Sequence, residues 1–150
     1  MADRQHPGTA ERASALASEL RSLIGKVKRR LREQGSTGDL TTSQMSVLLR
    51  LEKDGPATAS SLARSEGMRP QSMGAVIAPL ETAGFVSGAP DPDDGRQTLL
   101  SLTKECRKWI VEGRTARQDW LTRTIQAKLS AQEQEKLSAS LELLARLVED

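Results

Sequence analysis

Apolar residues recur along this chain at helical spacing almost from end to end, and the exception lies between residues 85 and 102. Leu16, Leu20, Leu23, Val27 and Leu31 follow at intervals of 4, 3, 4 and 4, a seam like that of a coiled coil, and predict a helix from about residue 11 to residue 32. Residues 34–38 read as a loop. Thr41 and Gln44 form a capping box that opens a helix with Met45, Leu48 and Leu49 inward, ending near Asp54, Gly55 and Pro56. Thr58 caps a brief helix bearing Leu62 and Ala63, residues 65–68 make a turn, and Pro70 starts a longer helix through Ala83. Proline fits a first helical position, where its missing N–H costs nothing. Met73, Val76, Ile77 and Leu80 then stand at i, i+3, i+4 and i+7, one buried stripe. Gly84 ends the helix.

The period changes after Gly84. Residues 85–87 and 97–102 are short, β-prone runs on either side of residues 88–96, where proline, aspartate and glycine are dense enough to make a loop. The order of short helix, turn, helix and hairpin is that of a winged helix-turn-helix. Off the buried stripe of the second helix lie Gln71, Ser72, Gly74 and Ala75, small or amide-bearing residues that let a backbone approach base edges. Gln71 suits adenine N6 and N7, and Ser72 suits a base or a phosphate. Arg64 and Arg69 flank the turn and suit backbone phosphates, which position a protein without reading sequence. At the hairpin tip, the Arg96 guanidinium fits a narrow minor groove, with Asp94 placed to hold it; a solvated tip is the competing reading. Pro79 inside the reader helix removes one hydrogen bond and predicts a kink or a changed tilt.

Thr103 caps a last long helix reaching about Lys128, with Trp109, Ile110, Ala116, Trp120, Leu121 and Ile125 contributing buried positions. Ser130 and Glu133 form a second capping box, and Leu137, Leu141, Leu144 and Val148 repeat at 4, 3 and 4. The terminal seams have no partner in the hairpin region. Helices of two chains that interdigitate would bury ~2,000 Å² or more; a monomeric bundle is the alternative. The predicted fold is mainly α with a small β-wing. Residues 40–102 form the DNA-binding winged helix-turn-helix, and residues 1–39 and 103–150 supply the N- and C-terminal dimerisation helices of one intertwined domain.

Several runs together carry a resemblance: Leu40-Thr41-Thr42-Ser43-Gln44, Leu62-Ala63, Leu80-Glu81-Thr82-Ala83-Gly84-Phe85-Val86, and Asp91-Pro92-Asp93-Asp94-Gly95-Arg96 closing on Leu102-Thr103. Their order resembles the MarR (multiple antibiotic resistance regulator) family over residues 40–103. The resemblance implies a homodimeric transcriptional regulator that binds a pseudo-palindromic double-stranded operator, a repressor of nearby genes released by a small ligand or by thiol oxidation. It also implies a small aromatic or phenolic effector, although no pocket motif of the family can be placed here. The chain departs from the family at Gly74 and Ala75, where a polar and a basic residue are common, and at Ser87-Gly88-Ala89, where an arginine is common.

Composition narrows the classes. With one Phe, two Trp and no Tyr in 150 residues, the core must be aliphatic and helical. No apolar run reaches ~18 residues and no apolar leader is present, so a cytoplasmic protein without membrane contact is expected. One Cys and one His leave no disulfide framework and no metal cluster, and with no phosphate loop or visible carboxylate pair an enzyme or a bound cofactor is not expected. Residues 40–102 carry five Lys and Arg against seven acids. That balance keeps open a winged-helix protein-interaction module with little DNA binding. Lys26, Lys28, Arg29, Arg30 and Arg32 crowd the end of the first helix, where they answer its dipole, meet a phosphate, or favour a membrane surface, in that order of preference. Cys106 stands where the family's Leu-Thr-x-x-Gly pattern has glycine. In a first helical turn beside Lys104, Arg107 and Lys108, its thiolate would be favoured, making it a redox-sensor candidate; a small buried packing residue is the plainer reading.

Overall fold

A computed structural model describes residues 8–35, 38 and 40–150. Six helices and three short strands follow in order: α1 (Gly8–Gln34), α2 (Thr42–Asp54), β1 (Ala57–Thr58), α3 (Ala59–Ser65), α4 (Pro70–Thr82), β2 (Val86–Pro90), β3 (Thr98–Leu102), α5 (Lys104–Lys128) and α6 (Ala131–Arg146). The chain divides into two compact units, Thr37–Arg114 and Met1–Ser36 with Thr115–Asp150.

The core lies in Thr37–Arg114. Val47, Leu48 and Leu51 of α2, Leu62 and Ala63 of α3, Met73, Ile77 and Leu80 of α4, Val86, Leu100 and Leu102 of the strands, and Cys106 and Ile110 of α5 form one buried cluster. It is aliphatic apart from the sulfur groups, and among the described residues Phe85 and Trp109 are its aromatic neighbours, their rings packed with centroids 5.3 Å apart. Both capping boxes form as read: Thr41 with Gln44, and Ser130 with Glu133. Thr103 does more than cap, because its hydroxyl accepts from the Cys106 N–H at 3.1 Å and donates to the Gly84 carbonyl at 2.7 Å. It therefore fastens the start of α5 to the end of the reader helix.

Four local readings need correction. Leu49 faces outward at 40 % exposure, while Val47 and Leu51 point inward, because the inner face of α2 follows the 47, 48, 51 row. One strand is longer than composition suggests: β2 runs on through Gly88, Ala89 and Pro90, paired antiparallel with Leu100, Leu99 and Thr98, while β3 begins at Thr98, one residue later than read. A partner strand supplies the order that proline and glycine lack, and glycine is required at 88, where a Cβ would stand 2.6 Å from the Thr98 methyl. Ala57–Thr58 adds a third strand on the other side of β3, too short to leave a periodic signal. The loop read at residues 34–38 starts later, since Gln34 ends α1 and its side chain donates to the Arg30 carbonyl at 3.2 Å; Ser36 and Thr37, with Asp39 at the expected domain boundary, lie outside the described residues.

The other unit is of a different kind. Neither α1 nor α6 buries any residue. Of eleven exposed large hydrophobic residues among those described, nine lie there: Leu16, Leu23, Ile24, Val27, Leu141, Leu143, Leu144, Leu147 and Val148. No described helix is long and apolar enough to cross a membrane.

Candidate nucleic-acid interface

The helix-turn-helix is set by its turn. The Glu66 N–H donates to the Leu62 carbonyl at 2.9 Å and the Met68 N–H to the Ala63 carbonyl at 2.8 Å. Between them Gly67 takes φ +64°, a left-handed conformation that glycine adopts without steric cost. Arg69 then stands in extended backbone at the N-cap and Pro70 begins α4. Arg64 and Arg69 are exposed, and neither belongs to an ion pair among the described residues.

A latch that sequence pattern does not disclose holds this turn. The Glu66 carboxylate accepts from the Ser46 hydroxyl at 2.8 Å and from Arg50 Nε at 3.0 Å, so the turn is tied to α2. These donors hold the Glu66 carboxyl below the usual carboxylate range. Arg50 is thus occupied by an internal partner; Arg50 and Ser46 lie 16 and 20 positions from Glu66, with no periodicity linking them. Because the folded carboxyl titrates lower than the unfolded one, the latch adds stability above the ordinary carboxylate range and loses it as pH falls through the folded value. Glu66→Gln should therefore cost about 1 kcal/mol at neutral pH and flatten the acid side of a stability-against-pH curve measured by urea denaturation.

α4 has two faces. Met73, Ile77 and Leu80 are buried and Val76 is half-buried, whereas Gln71, Ser72, Gly74, Ala75, Ala78 and Pro79 are exposed. The helix runs unbroken through Pro79. Nothing in the fold requires glycine at 74, since a Cβ there would meet no atom within 4 Å. Ala78 shares a row with Gln71 and Ala75 at i, i+4 and i+7, a spacing visible in the sequence although only the first two were singled out from it.

The wing tip is ordered by Asp94. Its Oδ1 accepts from the Arg96 N–H at 3.1 Å and from Arg96 Nε at 3.3 Å, while the Arg96 side chain stays 94 % exposed. The carboxylate holds the guanidinium at Nε and leaves its two terminal nitrogens to solvent. Arg64, Arg69, the outer face of α4 and the wing arginine all belong to the Thr37–Arg114 unit.

Cys106 does not join them. It is fully buried, and burial, opposed only in part by Arg107, pushes its thiol above the ordinary range. The expectation that helix dipole and cations favour a thiolate is thereby corrected: desolvation of the charged form outweighs cations that are themselves in water. In the folded protein Cys106 should react with a water-soluble disulfide reagent at least tenfold more slowly than in urea, read by absorbance of the released thiol.

A helix-turn-helix whose second helix is seated in the core by one face and bare on the other, with an adjoining hairpin, defines a winged helix-turn-helix DNA-binding protein. The MarR family model matches residues 40–98. An HTH-type transcriptional regulator of Mycobacterium tuberculosis is 37% identical over 135 residues, 90% of this chain and 94% of that protein. The crystal structure of a transcriptional regulator from Pseudomonas aeruginosa shares 33% identity at a TM-score of 0.79, covering 93% of this chain and 97% of that one. A MepR mutant of S. aureus bound to an oligodeoxyribonucleotide shares the fold, with a TM-score of 0.68 at 21% identity over 89% of this chain and 98% of that one. The chain belongs to the MarR family and is a transcriptional regulator, not an enzyme.

Proposed function

We propose that two copies of this chain act together as a repressor, each presenting α4 to a major groove and its Arg96 wing to the neighbouring minor groove of a pseudo-palindromic operator. The observation that carries the reading is the division of α4: one face is fixed in the core and the other, with Gln71, Ser72, Gly74 and Ala75, is bare. Gln71 and Ser72 address base edges; Gly74 and Ala75 permit close approach. Arg64 and Arg69 meet phosphates, and Asp94 aims Arg96. The homodimer is supported by α1 and α6, which expose leucines and bury no residue of their own chain. Recognition helices related by a two-fold axis would enter grooves about 34 Å apart.

A small aromatic or phenolic effector is the release route in this reading, and thiol oxidation is not, because the Cys106 sulfur is buried and its thiolate disfavoured. The interaction-module alternative rests on the acidic balance of residues 40–102 and on a wing with a single arginine. The test is selection of duplexes from random DNA by the full chain, followed by band shifts at several salt concentrations and sedimentation of the protein alone. An inverted repeat bound by a dimer, with binding weakened by salt, agrees with the proposal. A monomer, or a chain that selects no sequence, overturns it.

A further inference from the structure

The side chains that α4 offers to a groove exclude the commonest way of reading DNA. Between Pro70 and Thr82 there is no lysine or arginine, and the one charged residue is Glu81. Bidentate contact from Arg or Lys to guanine O6 and N7, the most frequent specific contact, is unavailable from this helix. What remains on the exposed face is one amide, Gln71, one hydroxyl, Ser72, and the methyl groups of Ala75 and Ala78. The Thr82 hydroxyl is spent as a donor on the Ala78 carbonyl at 3.0 Å.

These groups are arranged in a row. Gln71, Ala75 and Ala78 stand at i, i+4 and i+7, so they share one face, and seven residues of helix rise about 10 Å, close to three base-pair steps of about 3.4 Å. An amide matches adenine N6 and N7, and an alanine methyl matches the C5-methyl of thymine. Gly74 beside this row is not demanded by the chain's own packing. In a helix interior glycine is less favourable than alanine, and close approach of another molecule's surface is a use for it.

Resting on the reading of α4 as the recognition helix, we infer that the Gln71, Ala75 and Ala78 row specifies adenine and thymine within the half-site, Gln71 reading adenine and Ala75 and Ala78 reading thymine methyls. Arg69, just outside the helix, contacts phosphate and contributes no base preference. The exposed Arg96 favours the same sequences by a second route, because A-tracts narrow the minor groove that attracts arginine.

The experiment uses the full chain and the duplex it selects. Each thymine of the half-site is replaced in turn by deoxyuridine, which lacks only the C5-methyl, and affinity is read by competition band shift. At one or two positions wild type should lose about fourfold per methyl. Ala75→Gly or Ala78→Gly should bind the thymine and deoxyuridine duplexes equally at one of those positions; this ratio is independent of any common loss of stability. Gln71→Ala should lose at least fivefold of its preference for adenine over guanine at one base pair, while Arg69→Ala weakens all duplexes alike. A selected half-site with guanine at the contacted positions, insensitivity to deoxyuridine throughout, or a base preference that shifts in Arg69→Ala would each overturn the inference while leaving operator binding intact. Failure to select any duplex would overturn both.

Discussion

Replacing Leu141 and Leu144 together with glutamate should convert the protein to a monomer at micromolar concentration and lower operator affinity by two orders of magnitude or more. Leu141 is 54 % and Leu144 38 % exposed, on a helix that buries no residue in its own chain. A helix of that length is marginal in water unless its apolar face is covered, and burying a leucine contributes about 1.5–3 kcal/mol. A carboxylate at the same place would have to lose its water without gaining a partner. Once the two copies separate, the second recognition helix no longer binds as part of the same molecule, and the gain of about 10²–10⁴ from linked binding disappears. Sedimentation and band shifts measure the two effects separately. Leu141→Ala with Leu144→Ala should give a weaker dimer with an intermediate operator affinity. A glutamate variant that stays dimeric would show that the exposed stripe of α6 is not the contact.

Leu80→Ala should have the second largest effect, lowering unfolding free energy by about 2–5 kcal/mol and the melting temperature by on the order of 10 °C. Leu80 is fully buried on the inner face of α4, where its side chain belongs to the same cluster as α2, α3 and the strands. Removing it leaves a cavity beneath the reader helix. Operator affinity should fall with stability, and raising ligand DNA should restore part of the melting temperature by mass action. Gln71→Ala is the counterpart: its site is exposed, so the melting temperature should stay within about 2 °C of wild type while sequence preference relaxes. An unchanged melting temperature in Leu80→Ala would mean that α4 is not seated as described.

Much of the site was legible because its determinants are local. Pro70, the Met73, Val76, Ile77 and Leu80 stripe and Gly84 locate the reader helix, and three of those four residues are buried while Val76 is half-buried. The Asp94 and Arg96 pairing at the wing tip was also readable, as the two residues lie two apart and bond directly. The Glu66 latch was not, since Ser46 and Arg50 are brought to it by the packing of α2 against the turn.

Cys106 marks the division most sharply. Its neighbours in sequence are Lys104, Arg107 and Lys108, which favour a thiolate, yet its neighbours in space are the apolar core, and those decide its chemistry. By itself the sequence determined which segments are helical, where the two capping boxes close and most of the buried stripe of α4, because period and capping act over a few residues, while the inner faces of α2 and α5 differ from the ones it suggests. Only the tertiary structure decided that glycine must stand at 88, that Pro90 lies in a strand, that Arg50 is spent on Glu66, and that the thiol is withdrawn from water. Those outcomes depend on which surfaces meet across the fold, and desolvation and steric fit arise only where surfaces meet.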